Sequence, residues 1–317
     1  MDELLWGIDL GGSKIEGIVI DAASRPKVLS RLRIHTEATK GYAHILNRIE
    51  EVVKLLKEET GHVPTKIGIG TPGVLDPDSR TMKNCNTTVL NGRPLQKDLA
   101  QRFGIPITMA NDANCLALAE ALMGVVADEH PKAKVVFGVI MGTGVGGGLV
   151  INGQLHIGLQ GIAGEWGHNV IEPHGKVCYC GKQGCIETVI SGPALELYYE
   201  QQCGHPLPLK EIVRKYNEGS DAHAQRTIAR LFEYFGKGMA QVINVVDPDA
   251  IVIGGGLGNI KSLYNTGKEA IERYVFNTTR LKTPILKPKL GDSAGVFGAA
   301  FLCRDQPTDD YDSLLAR

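Results

Sequence analysis

The sequence has no excess of charge of either sign. It contains 34 Lys and Arg residues and 35 Asp and Glu residues, which gives a formal net charge of −1 at pH 7. Surfaces that bind nucleic acid are strongly basic, so this balance argues against nucleic acid as a partner. No apolar run approaches the roughly 20 residues that a membrane-spanning helix needs, and no basic, apolar leader is visible. With 43% hydrophobic residues over 317 positions, the composition indicates a soluble globular protein of about two domains.

The sequence also lacks the P-loop motif G-x-x-x-x-G-K-[ST]. Two G-x-G-x-x-G matches occur, at residues 68–73 and 142–147. A dinucleotide fingerprint needs a strand, a turn and then a helix. The first match contains Pro72 and continues as a loop, and the second turns into another strand. The sequence therefore does not predict a Rossmann domain.

Cysteines are few and odd in number, seven in all, which favours a reducing cytoplasm over a disulfide framework. Cys178, Cys180 and Cys185 form a C-x-C-x4-C cluster. Three thiolates and one imidazole make a tetrahedral zinc set with no open position, which is typical of structural sites. His168 and His174 both lie nearby, and spacing does not choose between them. Neighbouring glycines let a short chain wrap around a metal, so we predict zinc; the alternative is three buried or solvated cysteines.

Two similar stretches, residues 4–21 and 135–152, are each predicted to be a strand, a glycine turn and a strand. One slides onto the other without a gap, so that Gly7 falls on Gly138 and Gly17 on Gly148. A predicted helix, strand and glycine loop occur after each hairpin. This pattern indicates a duplicated architecture, with chance similarity of glycine-rich strands as the alternative. Short apolar strands that alternate with amphipathic helices predict an α/β fold with both sheet faces covered.

The turns of the two hairpins are candidate phosphate loops, because small residues let backbone N–H groups approach anionic oxygens. One turn is Gly11-Gly12-Ser13 and the other is Gly142-Thr143-Gly144, where the Thr143 hydroxyl is an added donor. The alternative is that both are simply tight hairpins.

The segments EWGH at residues 165–168 and CYCGKQGCIE at residues 178–187 resemble the signature of the ROK family of sugar kinases and related repressors. In that family the histidine and the three cysteines hold zinc, and the two glutamates and the same histidine face the sugar. The resemblance therefore leaves His174 as a loop residue. It assigns zinc to His168, Cys178, Cys180 and Cys185, and the sugar to Glu165, His168 and Glu187. The segments AGEWGHN and CYCGKQGCIET are especially similar to the corresponding segments of bacterial fructokinases of the mannokinase type.

This resemblance covers nearly the whole chain and implies the two-domain actin-like ATPase (RNase H-like) fold of hexokinases and ROK proteins, with an interdomain cleft. We expect residues 1–114 and a returning C-terminal helix at about 298–317 to form a small α/β domain. Residues 115–297 are expected to form a large α/β domain that carries the zinc knuckle.

The segment Asn111-Asp112-Ala113-Asn114 lies between a predicted strand and a helix predicted at residues 115–123. Its position alone fits a helix N-cap as well as a catalytic acid. Similarity to the ROK segment N-D-A-N favours Asp112 as the general base for a sugar 6-hydroxyl that attacks the γ-phosphate, with Asn111 on neighbouring hydroxyls. Gly73 and Asn86, from a polar stretch that resembles the mannokinase-type fructokinases, complete the predicted sugar contacts.

The family motif D-x-G-G-T-K appears here as DLGGSK at residues 9–14. The resemblance implies that Asp9 holds Mg²⁺ through water and that GGGL at residues 254–257 packs against adenosine. These glycines also fit the N-terminus of a helix predicted from about Asn259. The predicted ATP contacts are Asp9, Gly11, Gly12, Ser13, Lys14, Gly142, Thr143, Gly144, Gly254, Gly255, Gly256 and Leu257.

Together these features predict a cytoplasmic ATP-dependent sugar kinase with Mg²⁺ as cofactor and structural zinc. Fructose is the first predicted substrate, with mannose tolerated. N-acetylglucosamine or N-acetylmannosamine is the second, and glucose or a broad hexokinase specificity the third.

A sugar-sensing regulator without catalysis is the alternative from another class. Intact Asp9 and Asp112 argue against it, as does a strand at residues 5–8 that leaves no room for a helix-turn-helix. Because closed two-fold pairs are the commonest assemblies and family members are often dimers, we expect a homodimer.

Overall fold

The computed structural model describes residues 4–22, 26–276 and 280–304. The chain divides into two compact units, one comprising Met1–Ala110 with Ala299–Arg317 and the other Asn111–Gly298. Residues 305–317 of the predicted C-terminal helix lie outside the described residues.

The first unit is built on a sheet. Its strands are β1 (Leu4–Leu10), β2 (Lys14–Asp21), β3 (Lys27–His35), β4 (Ile67–Thr71), β5 (Val74–Leu75), β6 (Met82–Lys83) and β7 (Ile107–Asn111). Among the described residues, the main sheet has the order β3-β2-β1-β4-β7, and β5 and β6 pair separately. β1, β2 and β3 form an antiparallel meander, and β4 lies parallel to β1.

Two helices of this unit are α1 (Tyr42–Thr60) and α2 (Leu95–Phe103). α1 buries Ile45, Ile49 and Val52 along one face, as the helical spacing of its apolar residues predicts. It ends at Gly61, whose φ of 70° is the left-handed conformation of a glycine cap. A Cβ at Gly17 of β2 would lie 2.3 Å from the Val52 side chain. The bare glycine therefore lets α1 pack directly on the sheet.

The second unit repeats this arrangement. Its strands are β8 (Val135–Met141), β9 (Val145–Ile151), β10 (Gln154–His156), β11 (Ala250–Gly254) and β12 (Ile285–Leu286). Its described strands have the order β10-β9-β8-β11-β12, again an antiparallel meander with a parallel strand beside the first hairpin strand. The predicted duplication is confirmed in the topology of both sheets.

The gapless superposition of the two hairpins is wrong beyond the turn. Gly7 pairs with Ile18 in the first hairpin, whereas Gly138 pairs with Gly148 in the second. The cause is the turn. Residues 11–14 lie outside the β1–β2 register in the first hairpin, whereas only residues 142–144 lie outside the β8–β9 register in the second. The second glycine turn is therefore the tighter of the two.

Helices of the second unit cover its sheet. They are α3 (Asp112–Leu122), α4 (Val125–Glu129), α5 (Glu187–Ile190), α6 (Gly192–Cys203), α7 (Leu209–Glu218), α8 (Ala222–Val246), α9 (Thr266–Glu272) and α10 (Ala294–Phe301), the last of which ends in the first unit. From residue 192 to 245 the sequence pattern predicts an almost wholly helical stretch, and α6, α7 and α8 confirm it. No helix within the described part of the chain is both long and apolar enough to cross a membrane.

Two helix predictions need correction. No α-helix begins near Asn259; residues 256–259 and 261–264 form 3-10 turns, and α9 begins at Thr266. The chain turns back tightly here, since a Cβ at Gly258 would lie 2.5 Å from the carbonyl oxygen of Ile253. α10 begins at Ala294, four residues before the predicted start at 298.

Candidate functional site

Three cysteines and one histidine of the second unit form a compact cluster, called here the knuckle. One ligand atom from each of His168, Cys178, Cys180 and Cys185 lies within 4.8 Å of the others. Sγ of Cys178 is 3.5 Å from Nδ1 of His168, and Sγ of Cys180 is 3.6 Å from Sγ of Cys185. Zinc–sulfur bonds of about 2.3 Å in a tetrahedron place sulfurs about 3.8 Å apart, whereas a disulfide bond is about 2.05 Å long. The donor set and its spacing therefore fit a tetrahedral metal site.

His168, and not His174, lies beside the three cysteines. His174 is exposed and has a φ of 68° in the loop that leads to them. The other nitrogen of His168, Nε2, is 3.0 Å from the hydroxyl of Tyr179. This partner leaves Nδ1 directed at the cluster.

The segment that carries Glu165 and His168 is fastened to β9. Nε1 of Trp166 donates to the carbonyl oxygen of Gly146 at 2.9 Å, and the Trp166 side chain is buried. A Cβ at Gly167 would lie 2.0 Å from the carbonyl oxygen of Val145. This close approach fixes the 3-10 turn of residues 166–168 on the hairpin.

Asp112 is the first residue of α3, and Asn111 before it is the N-cap. Oδ1 of Asn111 accepts the N–H of Asn114 at 2.8 Å, so α3 begins three residues earlier than predicted. The capping role that position alone allowed for Asp112 therefore belongs to Asn111. This leaves Asp112 for another role, although its Oδ1 accepts the N–H of Ala113 at 2.8 Å.

Burial acts on the acids of this unit. Asp112 is exposed at the protein surface, yet desolvation by the protein atoms around its carboxylate raises its pKa, against the lowering effect of the Ala113 N–H. Desolvation also raises the pKa of Glu165. The charges of Asp112 and Glu187 raise that pKa further, while His168 lowers it. The predicted base Asp112 and the other two predicted sugar-facing side chains, His168 and Glu187, thus lie within electrostatic reach of Glu165.

Glu187 is engaged with the second glycine turn. Its Oε2 accepts the N–H of Val145 at 2.8 Å, and a Cβ at Gly144 would lie 2.7 Å from the same oxygen. The resemblance to the ROK family implied a sugar contact for Glu187, and this contact with the predicted phosphate loop was not foreseen.

A cavity of about 720 Å³ adjoins that turn, within the roughly 300–1,000 Å³ that small-molecule sites occupy. It brings together Gly142 and Thr143 with Gly256 and Leu257, four of the predicted ATP contacts. Gly254 and Gly255, two further predicted ATP contacts, are not among the residues that line the cavity. Gly255 has a φ of 79°, and a Cβ there would lie 2.3 Å from the carbonyl oxygen of Met141.

Sequence reasoning missed the other side of the cavity. It is lined by residues of α6 and α7 and of the turn after β11, namely Gly192, Pro193, Glu196, Leu209, Lys210, Val213, Asn259 and Ile260. Oε1 of Glu196 accepts the N–H of Leu209 at 2.7 Å, which ties the start of α7 to α6. A Ser-Gly-Pro helix start is visible in the sequence, but nothing in it shows that this start faces the glycine turn.

In the first unit, the turn from Gly11 to Lys14 follows Asp9 at the end of β1. Asp9 is half-buried and the residues of the turn are largely exposed. Buried Thr36 holds the turn: its hydroxyl donates to the carbonyl oxygen of Gly11 at 2.7 Å, and its N–H donates to that of Ser13 at 3.0 Å. Thr36 was not predicted, because only the pairing of β3 with β2 brings it to the turn.

The predicted sugar contacts of the first unit differ in exposure. Asn86 is exposed, in a loop that Asn91 stabilises by accepting from the N–H of Cys85 at 2.9 Å. Gly73 is buried, and a Cβ there would lie 2.5 Å from Sγ of Cys85. Packing against Cys85 therefore explains Gly73, and a sugar contact from it would come from the backbone.

Comparison with known proteins identifies relatives with this architecture. The ROK family model matches residues 5–306. The chain is 34% identical over 316 residues to the N-acetyl-D-glucosamine kinase of Histophilus somni (strain 129Pt), covering 95% of this chain and 100% of that protein. This relative does not support the predicted likeness to mannokinase-type fructokinases.

Two solved structures share the fold. The ROK hexokinase from Thermus thermophilus has a TM-score of 0.85 at 29% identity, over 99% of this chain and 100% of that chain. A ROK family glucokinase from Streptomyces griseus, in complex with glucose and AMPPNP, has a TM-score of 0.75 at 30% identity, over 95% of this chain and 99% of that chain. The predicted fold class is confirmed, and the chain belongs to the ROK family.

Proposed function

We propose that this protein is an ATP-dependent sugar kinase that phosphorylates the 6-hydroxyl of a hexose, with N-acetyl-D-glucosamine preferred to fructose. The observation that carries the proposal lies within the second unit. Asp112, whose pKa is raised, lies near Glu165 and the knuckle, and the same unit holds a cavity lined by glycine turns. The kinase relatives named above support the class of reaction.

Asp112 is the proposed general base. Its carboxylate accepts the proton of the sugar 6-hydroxyl while that oxygen bonds to the γ-phosphorus and the bond from the γ-phosphorus to the bridging oxygen of ADP breaks. The products are a sugar 6-phosphate and ADP. Desolvation makes Asp112 a stronger base than an ordinary aspartate, and the cap made by Asn111 fixes the helix start that carries it.

The sugar hydroxyls are proposed to bind Glu165, Glu187 and Asn111. A sugar hydroxyl is also proposed to bind Nε2 of His168 in place of its present partner, the Tyr179 hydroxyl. Carboxylates accept hydrogen bonds from hydroxyls, and a partly desolvated site strengthens each of them. Gly73 and Asn86 of the first unit remain predicted contacts. A zinc ion held by His168 and the three cysteines would be structural, since the set has no open position.

The nucleotide is proposed to bind the cavity, with its phosphates at Gly142, Thr143 and Gly144 and its adenosine against Gly256 and Leu257. Asp9 and the turn from Gly11 to Lys14 are the proposed phosphate and Mg²⁺ residues of the first unit. A half-buried carboxylate beside a glycine turn suits Mg²⁺, which would neutralise charge on the phosphates when bound. The cytoplasmic location and the homodimer stay predictions.

A panel of sugars tests the substrate. We expect MgATP-dependent ADP release with N-acetyl-D-glucosamine to show the highest kcat/KM, above fructose, mannose, glucose and N-acetylmannosamine. A highest kcat/KM with fructose would restore the first prediction from the sequence. Tight sugar binding without ADP release would favour the sugar-sensing regulator. These sugars differ in the orientation of a hydroxyl, in the acetamido group on C2 or in the position of the carbonyl carbon, and one unpaired hydrogen bond is enough to discriminate between them.

Two adjacent glycines test the nucleotide wall. Gly256 lines the cavity and has open space where a Cβ would stand, so Gly256→Ala should raise the KM for ATP several-fold without lowering Tm. Gly255→Ala should instead lower Tm, because its Cβ would meet the Met141 carbonyl oxygen and its φ is positive. Steady-state kinetics and thermal melting measure both. An unchanged KM for ATP in Gly256→Ala would remove adenosine from this wall.

A further inference from the structure

The short segment from Cys185 to Gly192 touches both ends of the second glycine turn. At one end, the carboxylate of Glu187 accepts the N–H of Val145 at 2.8 Å. At the other, the N–H of Gly192 donates to the carbonyl oxygen of Gly142 at 2.8 Å. Helix α5 joins the two contacts and begins two residues after knuckle residue Cys185. The turn of residues 142–144 is thus clamped by the chain that leaves the knuckle.

The Glu187 contact is the specific part of this clamp. A backbone N–H to a carboxylate is a charge-assisted hydrogen bond, stronger than a neutral one. It orders the residue where the turn enters β9. A Cβ at Gly144 would lie 2.7 Å from the same carboxylate oxygen, so a side chain at residue 144 would have to displace the Glu187 carboxylate from its present position. The Glu187 carboxylate and the turn of residues 142–144 therefore fix each other's position.

We propose that Glu187 is a positioning residue for the nucleotide, in addition to its proposed contact with the sugar. Its carboxylate holds the turn of residues 142–144 in the shape that receives phosphate, and so couples the knuckle to nucleotide binding. The proposal rests on the function proposed above. It predicts that a change at Glu187 weakens nucleotide binding even when no sugar is present, which a sugar ligand alone would not do.

Titration of MgADP into the purified protein without sugar tests the coupling. Glu187→Ala should weaken MgADP binding about tenfold, as expected for loss of a charge-assisted hydrogen bond. Glu187→Gln keeps an acceptor oxygen for the Val145 N–H and should restore most of the affinity. Glu165→Ala is the matched control. Its carboxylate lies within electrostatic reach of Glu187 but, unlike that of Glu187, makes no hydrogen bond to the turn within the described part of the chain. It should weaken N-acetyl-D-glucosamine binding and leave the MgADP affinity within about twofold. An MgADP affinity of Glu187→Ala within twofold of the wild type would overturn the proposal.

A change on the other side of the contact covers the case in which Glu187→Ala does not fold. In Gly144→Ala the added methyl displaces the Glu187 carboxylate, so the affinity for N-acetyl-D-glucosamine should fall together with that for MgADP. Thr143→Ala, one residue earlier in the turn, should affect MgADP alone. Unchanged sugar affinity in Gly144→Ala would contradict the coupling. Failure of the proposed kinase function shows separately, as absence of sugar-dependent ADP release by the wild type, because the MgADP titrations need no turnover.

Discussion

Replacement of Asp112 by asparagine is expected to lower kcat and kcat/KM for the sugar together, by at least ~10²-fold, the low end of general-base contributions. Asparagine keeps the size of the side chain but has no basic oxygen. A loss confined to the transition state lowers both constants equally and leaves sugar binding intact. Steady-state kinetics together with a sugar-binding titration separate this result from a loss of affinity.

The raised pKa of Asp112 adds a second expectation. As pH falls, activity should be lost at a higher pH than an ordinary aspartate would give, because protonation of the base comes earlier. Stability follows the opposite sign. An acid whose pKa is raised by folding stabilises the fold below its ordinary pKa, and that contribution is lost as pH rises through the folded pKa. Asp112→Asn should therefore melt at a higher temperature than the wild type at neutral pH.

The control is the neighbouring cap. Asn111→Asp retains an oxygen that accepts the Asn114 N–H, so it should keep α3 intact and preserve far more turnover than Asp112→Asn. Near-normal turnover in Asp112→Asn would reject Asp112 as the base and redirect the search to Glu165 and Glu187.

Loss of a knuckle thiol is the second large effect. We expect the purified protein to carry about one zinc ion per chain, and Cys178→Ala to lose it. Cys178 is buried, and its Sγ is 3.5 Å from Nδ1 of His168. Without the metal, the segment that orients Glu165 and Glu187 loses its frame, and sugar affinity should fall about 10- to 100-fold. Elemental analysis and a sugar titration measure the two results.

Cys203 offers a matched control. It is half-buried and lies outside the knuckle, where its Sγ is 3.2 Å from the carbonyl oxygen of Tyr199. Cys203→Ala should retain the zinc and the sugar affinity. Freshly purified wild-type protein without zinc would contradict the proposed metal site. The cysteines would then be packing and solvated residues.

Local patterns predicted the architecture well because they arise from local physics. The apolar spacing of α1 is a short-range feature that the structure confirms, and the glycine cap at Gly61 that ends the helix is equally local. The repeated hairpins predicted the repeated strand order. The gapless superposition was wrong by one residue after the turn, because pairing register depends on turn geometry and not on the matching of glycines.

Contacts between residues far apart in the chain could not be predicted from the sequence. The cysteine spacing predicted the knuckle, but spacing alone did not choose between His168 and His174; the resemblance favoured His168, and the fold brings His168 to the cluster. The contact of Glu187 with Val145 joins residues far apart in the chain, as does the contact of Thr36 with Gly11. The walls of the cavity from α6 and α7 depend on how helices pack on the sheet. Substrate choice was even harder to predict from the sequence. The motifs that suggested fructose are not supported by the N-acetyl-D-glucosamine kinase relative.

Phosphoryl transfer from ATP to the 6-hydroxyl of a hexose is the reaction proposed for this protein. NMR of the product formed from MgATP and N-acetyl-D-glucosamine tests it, because phosphorus couples to the protons on the carbon that bears the phosphate. We expect coupling to the C6 protons, with one ADP formed per sugar phosphate. Phosphate on another hydroxyl, or no sugar phosphate with any hexose of the panel, would contradict it.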